Sequence, residues 1–253
     1  MIQEQNFDIM HNVIINKGIK GKIMANIVIG IEGLVGAGKT SICRELIKRI
    51  PNTVLLNGGN LYRAIVYAMM QNGSKVEELK KQGKNLDIKE MMDLFKVQIK
   101  VENNETIVYI DNEKVDENAI QSKEASMAVS TVGGSADNKN LFIFARGFIN
   151  ELKENYNVIV SGRSVMKIYP DCDYHFFITA DLEERVKRKC IQYENKETRE
   201  EIRENIQKRD ELQKQAGFYD FSSITEEVDV TNCKTVEEST DLVLSKMKLP
   251  LGI

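Results

Sequence analysis

Short apolar runs alternate with longer amphipathic segments along most of this chain. The apolar runs are rich in β-branched residues and lie at 26–31, 53–56, 157–160, 174–178 and 228–230. Runs of this kind are typical of strands that are buried on both faces of a parallel sheet. The segment after the first run has apolar residues at helical spacing, at Ile42, Leu46, Ile47 and Ile50. The pattern therefore predicts an α/β fold built on a doubly wound parallel sheet.

One part of the chain interrupts this alternation of strands and helices. The segments 96–101 and 106–110 alternate polar and apolar residues, and the polar residues 102–105 join them. This pattern predicts an antiparallel β-hairpin with a turn at its centre. We place the hairpin in an insertion at about 58–135.

A single large domain accounts for most of the chain. We place it at 25–250, with the insertion inside it, because the strand and helix patterns continue through this range. Two helices that are dense in charged residues are predicted at about 181–216. Residues 1–24 are linker-like, so we predict an N-terminal extension that is a candidate for disorder.

The composition narrows the classes of protein to consider. The 253 residues are 42% hydrophobic and 29% charged, which suits one sizeable globular unit or a core with an inserted subdomain. The net charge of −3 provides no basic field for nucleic acids or membranes, and no apolar run reaches the ~18 residues of a transmembrane helix. The four cysteines are scattered without a C-x-x-C pair, which favours reduced thiols in a cytoplasmic protein.

Histidine chemistry has little support in this sequence. The chain contains two histidines, His11 and His175. His175 lies in an apolar run, where we expect a packed strand histidine and not a metal ligand or a base. We therefore do not expect a mechanism centred on histidine.

Residues 33–40 match the motif G-x-x-x-x-G-K-[ST]. The glycines of such a loop leave backbone N–H groups free to surround phosphate oxygens, the Lys39 ammonium reaches the β- and γ-phosphates, and the Thr40 hydroxyl can bind Mg²⁺. The strand before the loop and the helix after it direct a helix N-terminus at the phosphates. We expect a nucleoside triphosphate to bind here, on Gly33, Gly36, Ala37, Gly38, Lys39, Thr40 and Ser41.

Proteins with this loop include hydrolases, switches and kinases, so the loop alone does not choose between them. A GTPase switch would need N-K-x-D to read guanine, and the near matches at 138–141 and 195–198 lack the aspartate. Phosphoryl transfer needs positive charge around the transferring group. The chain has arginines at the ends of predicted elements, at Arg63, Arg146, Arg163, Arg185, Arg188 and Arg209.

Two of these arginines allow two interpretations. Arg185 and Arg188 share one helix face, where they could bind phosphates. Asp181 and Glu184 precede them by four residues each, so ion pairs on a solvated helix face explain them equally well. Arg163 follows the carboxyl end of a predicted strand, where ligands bind in open α/β sheets, so for it we favour a functional role.

Taken together, these segments resemble the bacterial cytidylate kinases, which are nucleoside monophosphate kinases with an insertion in the acceptor domain. The resemblance covers roughly residues 25–245 and is specific in the order and spacing of its motifs. The matching segments are 31–40 for I-D-G-P-x-G-A-G-K-[GS], 57–63 for D-[ST]-G-A-x-Y-R, 161–164 for D-G-R-D, 169–171 for the F-P-D-A turn, 184–188 for the lid motif E-R-A-x-R-R and 208–210 for K-R-D.

The resemblance implies a P-loop kinase fold in which the insertion binds the acceptor and the helices at about 181–216 form a lid. It implies ATP as the donor, Mg²⁺ as the cofactor on Thr40, CMP or dCMP as the acceptor, and a monomer. Acceptor-binding roles fall on Arg63, Ser130, Arg146, Arg163 and Arg209, and catalytic roles on Lys39, Arg163, Arg185 and Arg188. Closure of Arg185 and Arg188 over the ATP phosphates would exclude water, so that the monophosphate receives the phosphoryl group.

Several positions depart from the family pattern, and most of them concern the acceptor base and ribose. Ser164 replaces an aspartate that faces the base, and Gln213 and Ala216 replace an aspartate and an arginine that hold the ribose. Losing such partners can shift selectivity by about 10⁴-fold. Asn57 and Ser161 replace aspartates near the metal. Three functions therefore stay open: a CMP or dCMP kinase, a kinase for another phosphorylated small molecule, and a catalytically weak nucleotide-binding regulatory protein.

Overall fold

The computed structural model describes residues 25–71, 78, 81, 88–94, 96–116, 120, 139–193, 197–219 and 221–247. Contacts divide the chain into two compact units. The P-loop unit comprises Asn26–Leu55 and Tyr156–Ile253, and the hairpin unit includes Leu56–Asn155. The predicted extension at 1–24 lies outside the described residues.

Strands and helices alternate in the order that the apolar pattern predicts. The described strands are β1 (Val28–Gly33), β2 (Thr53–Asn57), β3 (Val97–Glu102), β4 (Glu105–Ile110), β5 (Glu113–Lys114), β6 (Asn157–Ser161), β7 (Tyr174–Thr179) and β8 (Thr225–Asp229). The described helices are α1 (Lys39–Arg49), α2 (Gly58–Gln71), α3 (Ile88–Leu94), α4 (Lys139–Lys153), α5 (Val165–Ile168), α6 (Leu182–Gln192), α7 (Arg199–Gln215) and α8 (Val236–Lys246). Among these described helices, none is long and apolar enough to cross a membrane.

The P-loop unit is built on a sheet with the strand order β2-β6-β1-β7-β8. β1 runs parallel to β6 and to β7, and β7 runs parallel to β8. All six residues of β1 are buried, as expected for a central strand that is covered on both faces. The predicted α/β fold with a parallel sheet is therefore confirmed.

The two faces of β1 have different neighbours because side chains alternate along a strand. Ile29 and Ile31 belong to a cluster of buried side chains that includes Ile42 of α1 and Val243 of α8. The intervening residue Gly30 faces the other way. A Cβ atom at this glycine would lie 2.6 Å from Cδ2 of His175. The first face forms the main core, and the second face leads to the polar groups described below.

The two predicted charged helices are present as α6 and α7. Thr198 and Glu201 form a capping box at the start of α7, in which each side chain accepts a hydrogen bond from the other residue's backbone N–H. The two helices enclose a small core in which Val186, Ile202 and Ile206 pack with Val35 of the loop after β1. A loop residue is thus part of the hydrophobic core of this helix pair.

The predicted hairpin is confirmed in the hairpin unit. β3 and β4 pair antiparallel from Val97 opposite Ile110 to Glu102 opposite Glu105. Asn103 and Asn104 connect them with φ angles of 50° and 64°. Two consecutive positive φ angles are typical of the tight turns whose twist matches that of a hairpin. The sequence pattern therefore predicted the two strands, although Glu102 and Glu105 belong to the strands and not to the turn as predicted.

Candidate active site

The glycine at the end of β1 and two glycines of the loop after it adopt backbone conformations that other residues rarely adopt. Gly33, Gly36 and Gly38 have φ angles of 146°, 80° and 99°. Gly38 is the N-cap of α1, and a glycine places no side chain over the first turn of the helix. The N-terminus of α1 therefore faces the loop with its backbone N–H groups available to an anion.

Gly33 is held against backbone atoms, so its substitution is expected to have a large effect. A Cβ atom at Gly33 would lie 2.1 Å from the carbonyl oxygen of Ile178, which cannot move without distorting β7. We expect Gly33→Ala to lower the free energy of unfolding by roughly 2 to 4 kcal/mol, because backbone strain and overpacking add. Urea denaturation measures this loss.

Gly162→Ala is the matched control for Gly33→Ala. Among the described residues, a Cβ atom at Gly162 would meet one side-chain carbon of Val165, at 3.9 Å. We expect its free energy of unfolding to stay within about 1 kcal/mol of the wild type. Equal stability of the two variants would contradict the close approach of Gly33 to β7.

Lys39 is tethered to the loop that precedes it. Its Nζ donates hydrogen bonds of 2.8 Å to the carbonyl oxygens of Gly33 and Leu34. Burial, and after it the charges of Arg163 and Arg209, lower the pKa of Lys39 to about 8. The ammonium is still protonated at pH 7. The influence of both arginines also indicates that three cationic groups lie near one another at this loop, where phosphate groups would neutralise them.

Arg185 is buried and is not part of a solvated helix face. Its Nε donates to the carbonyl oxygen of Ala180 at 2.9 Å, and one terminal nitrogen donates to the carbonyl oxygen of Val35 at 3.0 Å. The same nitrogen pairs with Asp210 of α7 at 2.5 Å. The interpretation in which Arg185 pairs with Asp181 on a solvated face is therefore wrong, because the packing of α6 against the loop buries this side chain.

Arg188 combines the two interpretations. It pairs with Glu184 one turn earlier at 3.0 Å, as the solvated-face interpretation predicts. It also donates to the carbonyl oxygen of Ala37 in the loop at 3.2 Å and to that of Val230 at 2.8 Å. Arg188 of α6 thus contacts the P-loop through the backbone carbonyl oxygen of Ala37.

The predicted acceptor-binding residues are distributed over both units. In the P-loop unit, Arg163 is exposed after β6 and its guanidinium lies 5.5 Å from the ring centre of Phe218. In the hairpin unit, Arg63 lies on α2 and Arg146 on α4, each partly exposed. Ser130 lies outside the described residues.

The structure shows the surroundings of the five positions that depart from the family pattern. Ser164 is buried with a φ angle of 55°, and its Oγ has no hydrogen-bond partner among the described residues. Gln213 is buried, and its Oε1 accepts a hydrogen bond from the Tyr219 hydroxyl at 3.2 Å. Asn57 accepts a hydrogen bond from the backbone N–H of Asn60 in the first turn of α2. Ala216 is the C-cap residue that follows α7 and is exposed, and Ser161 ends β6 beside Ile31 of β1.

Sequence reasoning missed a buried polar chain on the second face of the sheet. Glu32 and His175 are joined by a 2.9 Å hydrogen bond between Oε2 and Nε2. The other ring nitrogen of His175 contacts Oγ1 of Thr225, also at 2.9 Å. Oε1 of Glu32 is buried without a partner among the described residues. The available signal was Gly30, whose missing side chain leaves space for the imidazole ring.

Tyr219 also escaped prediction from the sequence. Its hydroxyl contacts Gln213 and lies 3.5 Å from Oδ1 of Asp210. Burial, and after it the negative charge of Asp210, raise the pKa of Tyr219 to about 12. The ring packs edge-on against Phe177. Tyr219 therefore stays a neutral hydrogen-bond donor beside the arginines of the site.

Comparison with known proteins decides the family. The family model described as cytidylate kinase matches residues 29–249. The chain belongs to the cytidylate kinase family. It is therefore an enzyme of the nucleoside monophosphate kinase kind, and it carries the P-loop kinase fold that the sequence predicted.

Individual relatives agree with this membership. The chain is 32% identical to a cytidylate kinase of Clostridioides difficile (strain 630) over 232 residues, covering 89% of this chain and 100% of that protein. It is 23% identical to a cytidylate kinase of Halalkalibacterium halodurans over 230 residues, covering 89% of this chain and 99% of that protein. A cytidylate kinase of Caldanaerobacter subterraneus is 29% identical over 194 residues, which is 75% of this chain and 80% of that protein.

Proposed function

We propose that the protein transfers the γ-phosphoryl group of ATP to a nucleoside monophosphate, with CMP or dCMP as the first candidates. The observation that carries this proposal is the geometry of the P-loop, in which Gly38 is the N-cap of α1 and Nζ of Lys39 is held at the carbonyl oxygens of Gly33 and Leu34. The charges of Arg163 and Arg209, which help to lower the pKa of Lys39, support it. An anionic acceptor held by the two arginines would lie beside a γ-phosphoryl group held by Lys39. The acceptor candidates come from the names of the relatives.

The reaction requires little covalent chemistry from the protein. An oxygen of the acceptor monophosphate attacks the γ-phosphorus, the bond to the β–γ bridging oxygen breaks, and ADP leaves with that electron pair. Lys39 would stabilise the transferring group, and Arg163 with Arg209 would hold the acceptor phosphate in line. Arg63 and Arg146 of the hairpin unit belong to the proposed acceptor set.

Magnesium belongs to the proposal, with the hydroxyl of Thr40 as its protein ligand. Bound with ATP, Mg²⁺ would neutralise charge on the phosphate oxygens. Within the described ranges there is no group of three or more His, Cys, Asp or Glu residues that could hold a metal ion. Thr40 nevertheless fits Mg²⁺, which is usually bound through one or two protein oxygens, substrate phosphates and water.

A kinase for another phosphorylated small molecule is the second candidate. It is favoured by the changes at the family's base and ribose positions, in particular Gln213, whose side-chain oxygen already accepts a hydrogen bond from Tyr219. A catalytically weak regulatory protein is the third candidate, favoured by Asn57 and Ser161 in place of aspartates.

The proposal also includes a cytoplasmic location and a monomeric state. The location is supported by the four cysteines, all of which are described and none of which forms a disulfide.

An acceptor panel tests the proposal. ADP release from ATP and Mg²⁺ would be measured with CMP, dCMP, UMP, dTMP, AMP and GMP. We expect the highest kcat/KM with CMP or dCMP. Turnover of a different monophosphate would move the acceptor assignment to that compound. ATP binding without turnover of any of the six would contradict a nucleotide acceptor and favour the second or third candidate.

A further inference from the structure

Both backbone groups of one P-loop residue are held by an ion pair between α6 and α7. The N–H of Val35 donates to Oδ1 of Asp210 at 3.1 Å. The carbonyl oxygen of Val35 accepts from Arg185 at 3.0 Å, and the same nitrogen of Arg185 donates to Oδ2 of Asp210 at 2.5 Å. Asp210 therefore holds Val35 directly through one oxygen and indirectly through the other.

The side chain of Val35 is fixed by the same two helices. It is buried and packs with Val186 of α6 and with Ile202 and Ile206 of α7. Val35 thus has its N–H, its carbonyl and its side chain all held by α6 and α7. A residue of the phosphate-binding loop cannot move without breaking contacts in this helix pair.

Cationic side chains donate hydrogen bonds to the carbonyl oxygens of the loop. Lys39 donates to the carbonyl oxygens of Gly33 and Leu34. Arg185 donates to that of Val35, and Arg188 donates to that of Ala37. A carbonyl oxygen that pointed at a bound phosphate would repel it, so fixing these oxygens elsewhere favours the anion-binding form of the loop. Asp210 contributes to this arrangement by holding Arg185 in place.

We propose that Asp210 is a positioning residue that acts through Val35 and Arg185 to keep the P-loop in its phosphate-binding conformation. This inference rests on the proposed function, because it assigns ATP to the same loop. It makes Asp210 favourable for ATP binding although its charge is negative. If Asp210 acted through its charge alone, it would weaken ATP binding, since a carboxylate near a triphosphate repels it.

The proposal is tested by whether ATP binds more weakly or more tightly once the charge of Asp210 is removed. For Asp210→Asn we expect the Kd of ATP, measured by calorimetry without any acceptor, to rise about 10-fold. The KM of the acceptor should change less than about 3-fold, because the acceptor does not contact Val35 in the proposed arrangement. Unchanged or tighter ATP binding in Asp210→Asn would overturn the proposal.

The matched control is Glu211→Gln. Glu211 is the next residue on α7, is exposed and accepts a hydrogen bond from Gln215, so this variant removes the same charge without touching the loop. We expect its Kd for ATP to stay within about 2-fold of the wild type. An equal weakening in both variants would overturn the positioning role, because the effect would then come from net charge.

A double variant covers the case in which Asp210→Asn fails to fold. Asp210→Asn with Arg185→Gln removes both charges, so that no guanidinium is left buried and unpaired. We expect ATP binding to be weaker than in the wild type here too, because the ion pair that holds Val35 is absent. Wild-type binding of ATP by the double variant would overturn the proposal.

The two proposals fail separately in these measurements. If the wild type binds ATP, and Asp210→Asn binds it more weakly, but no monophosphate is turned over, the positioning role stands and the kinase assignment fails. If the wild type turns over CMP while Asp210→Asn binds ATP normally, the positioning role fails and the kinase assignment stands. A wild type that binds no ATP would overturn both.

Discussion

Replacing Lys39 by methionine should reduce kcat by about 100- to 1,000-fold. The expected loss is this large because Lys39 is the ammonium that we propose stabilises the transferring phosphoryl group, and removing one preorganised donor of this kind costs about 10²- to 10³-fold. The measurement is the initial rate of ADP release with the best monophosphate of the panel. Lys48→Met is the matched control, because Lys48 lies on the same helix, has an exposed side chain and pairs with Glu45 of that helix.

The pH dependence provides an independent check on Lys39. Because its pKa is lowered to about 8, the ammonium is fully charged below that pH and is lost as the pH rises through 8. ATP binding by the wild type should therefore weaken above about pH 8, whereas binding by Lys39→Met should be flat over the same range. A wild-type profile that is flat to pH 10 would contradict the placement of Lys39 in a buried cationic cluster.

Replacing His175 by methionine should lower the free energy of unfolding by about 3 to 5 kcal/mol, because it removes one partner of a buried pair and leaves the other without compensation. Glu32 and His175 are almost completely buried, with side-chain exposures of 4% and 0%. Methionine keeps a comparable volume, so the loss comes mainly from the orphaned carboxyl group and less from a cavity. Urea denaturation followed by circular dichroism measures it.

The double variant Glu32→Met with His175→Met separates the pair from its surroundings. Replacing both polar partners by apolar groups of similar shape can be nearly neutral, so we expect the double variant to be more stable than His175→Met alone. Additive losses in the two single variants would contradict a direct interaction between these side chains. This double-mutant cycle also tests whether His175, which the sequence predicts to be a packed strand residue, has Glu32 as a specific partner.

Some features of the fold follow from local patterns. The alternation of polar and apolar residues at 96–110 predicted the hairpin, and the two asparagines at its turn adopt the positive φ angles that asparagine tolerates better than most residues. The helical spacing after the P-loop predicted α1. Such patterns can be recognised in a sequence because strand and helix periods depend only on neighbouring residues.

Pairing between residues that are distant in the sequence could not be predicted from such local patterns. The local pattern suggested Asp181 as the partner of Arg185, whereas the structure pairs Arg185 with Asp210, which lies 25 residues away on another helix. Glu32 and His175 are 143 residues apart, and Val35 and Asp210 are 175 residues apart. Spacing along one helix could not reveal these contacts, because they depend on which helices pack together.

The phosphate-binding loop, the parallel α/β sheet, the hairpin and the family could all be predicted from residues 25–249, because they depend on local periodicity and on residue types at fixed spacing. The pairing of the buried charges could not be predicted in this way, because it depends on how the elements pack. The strand order brings β7 beside β1 and so places His175 next to Glu32, and the packing of α6 and α7 around Val35 places Arg185 and Asp210 on the loop. Side-chain partners in a buried site are selected by desolvation and packing, which act between residues that only the folded chain brings together.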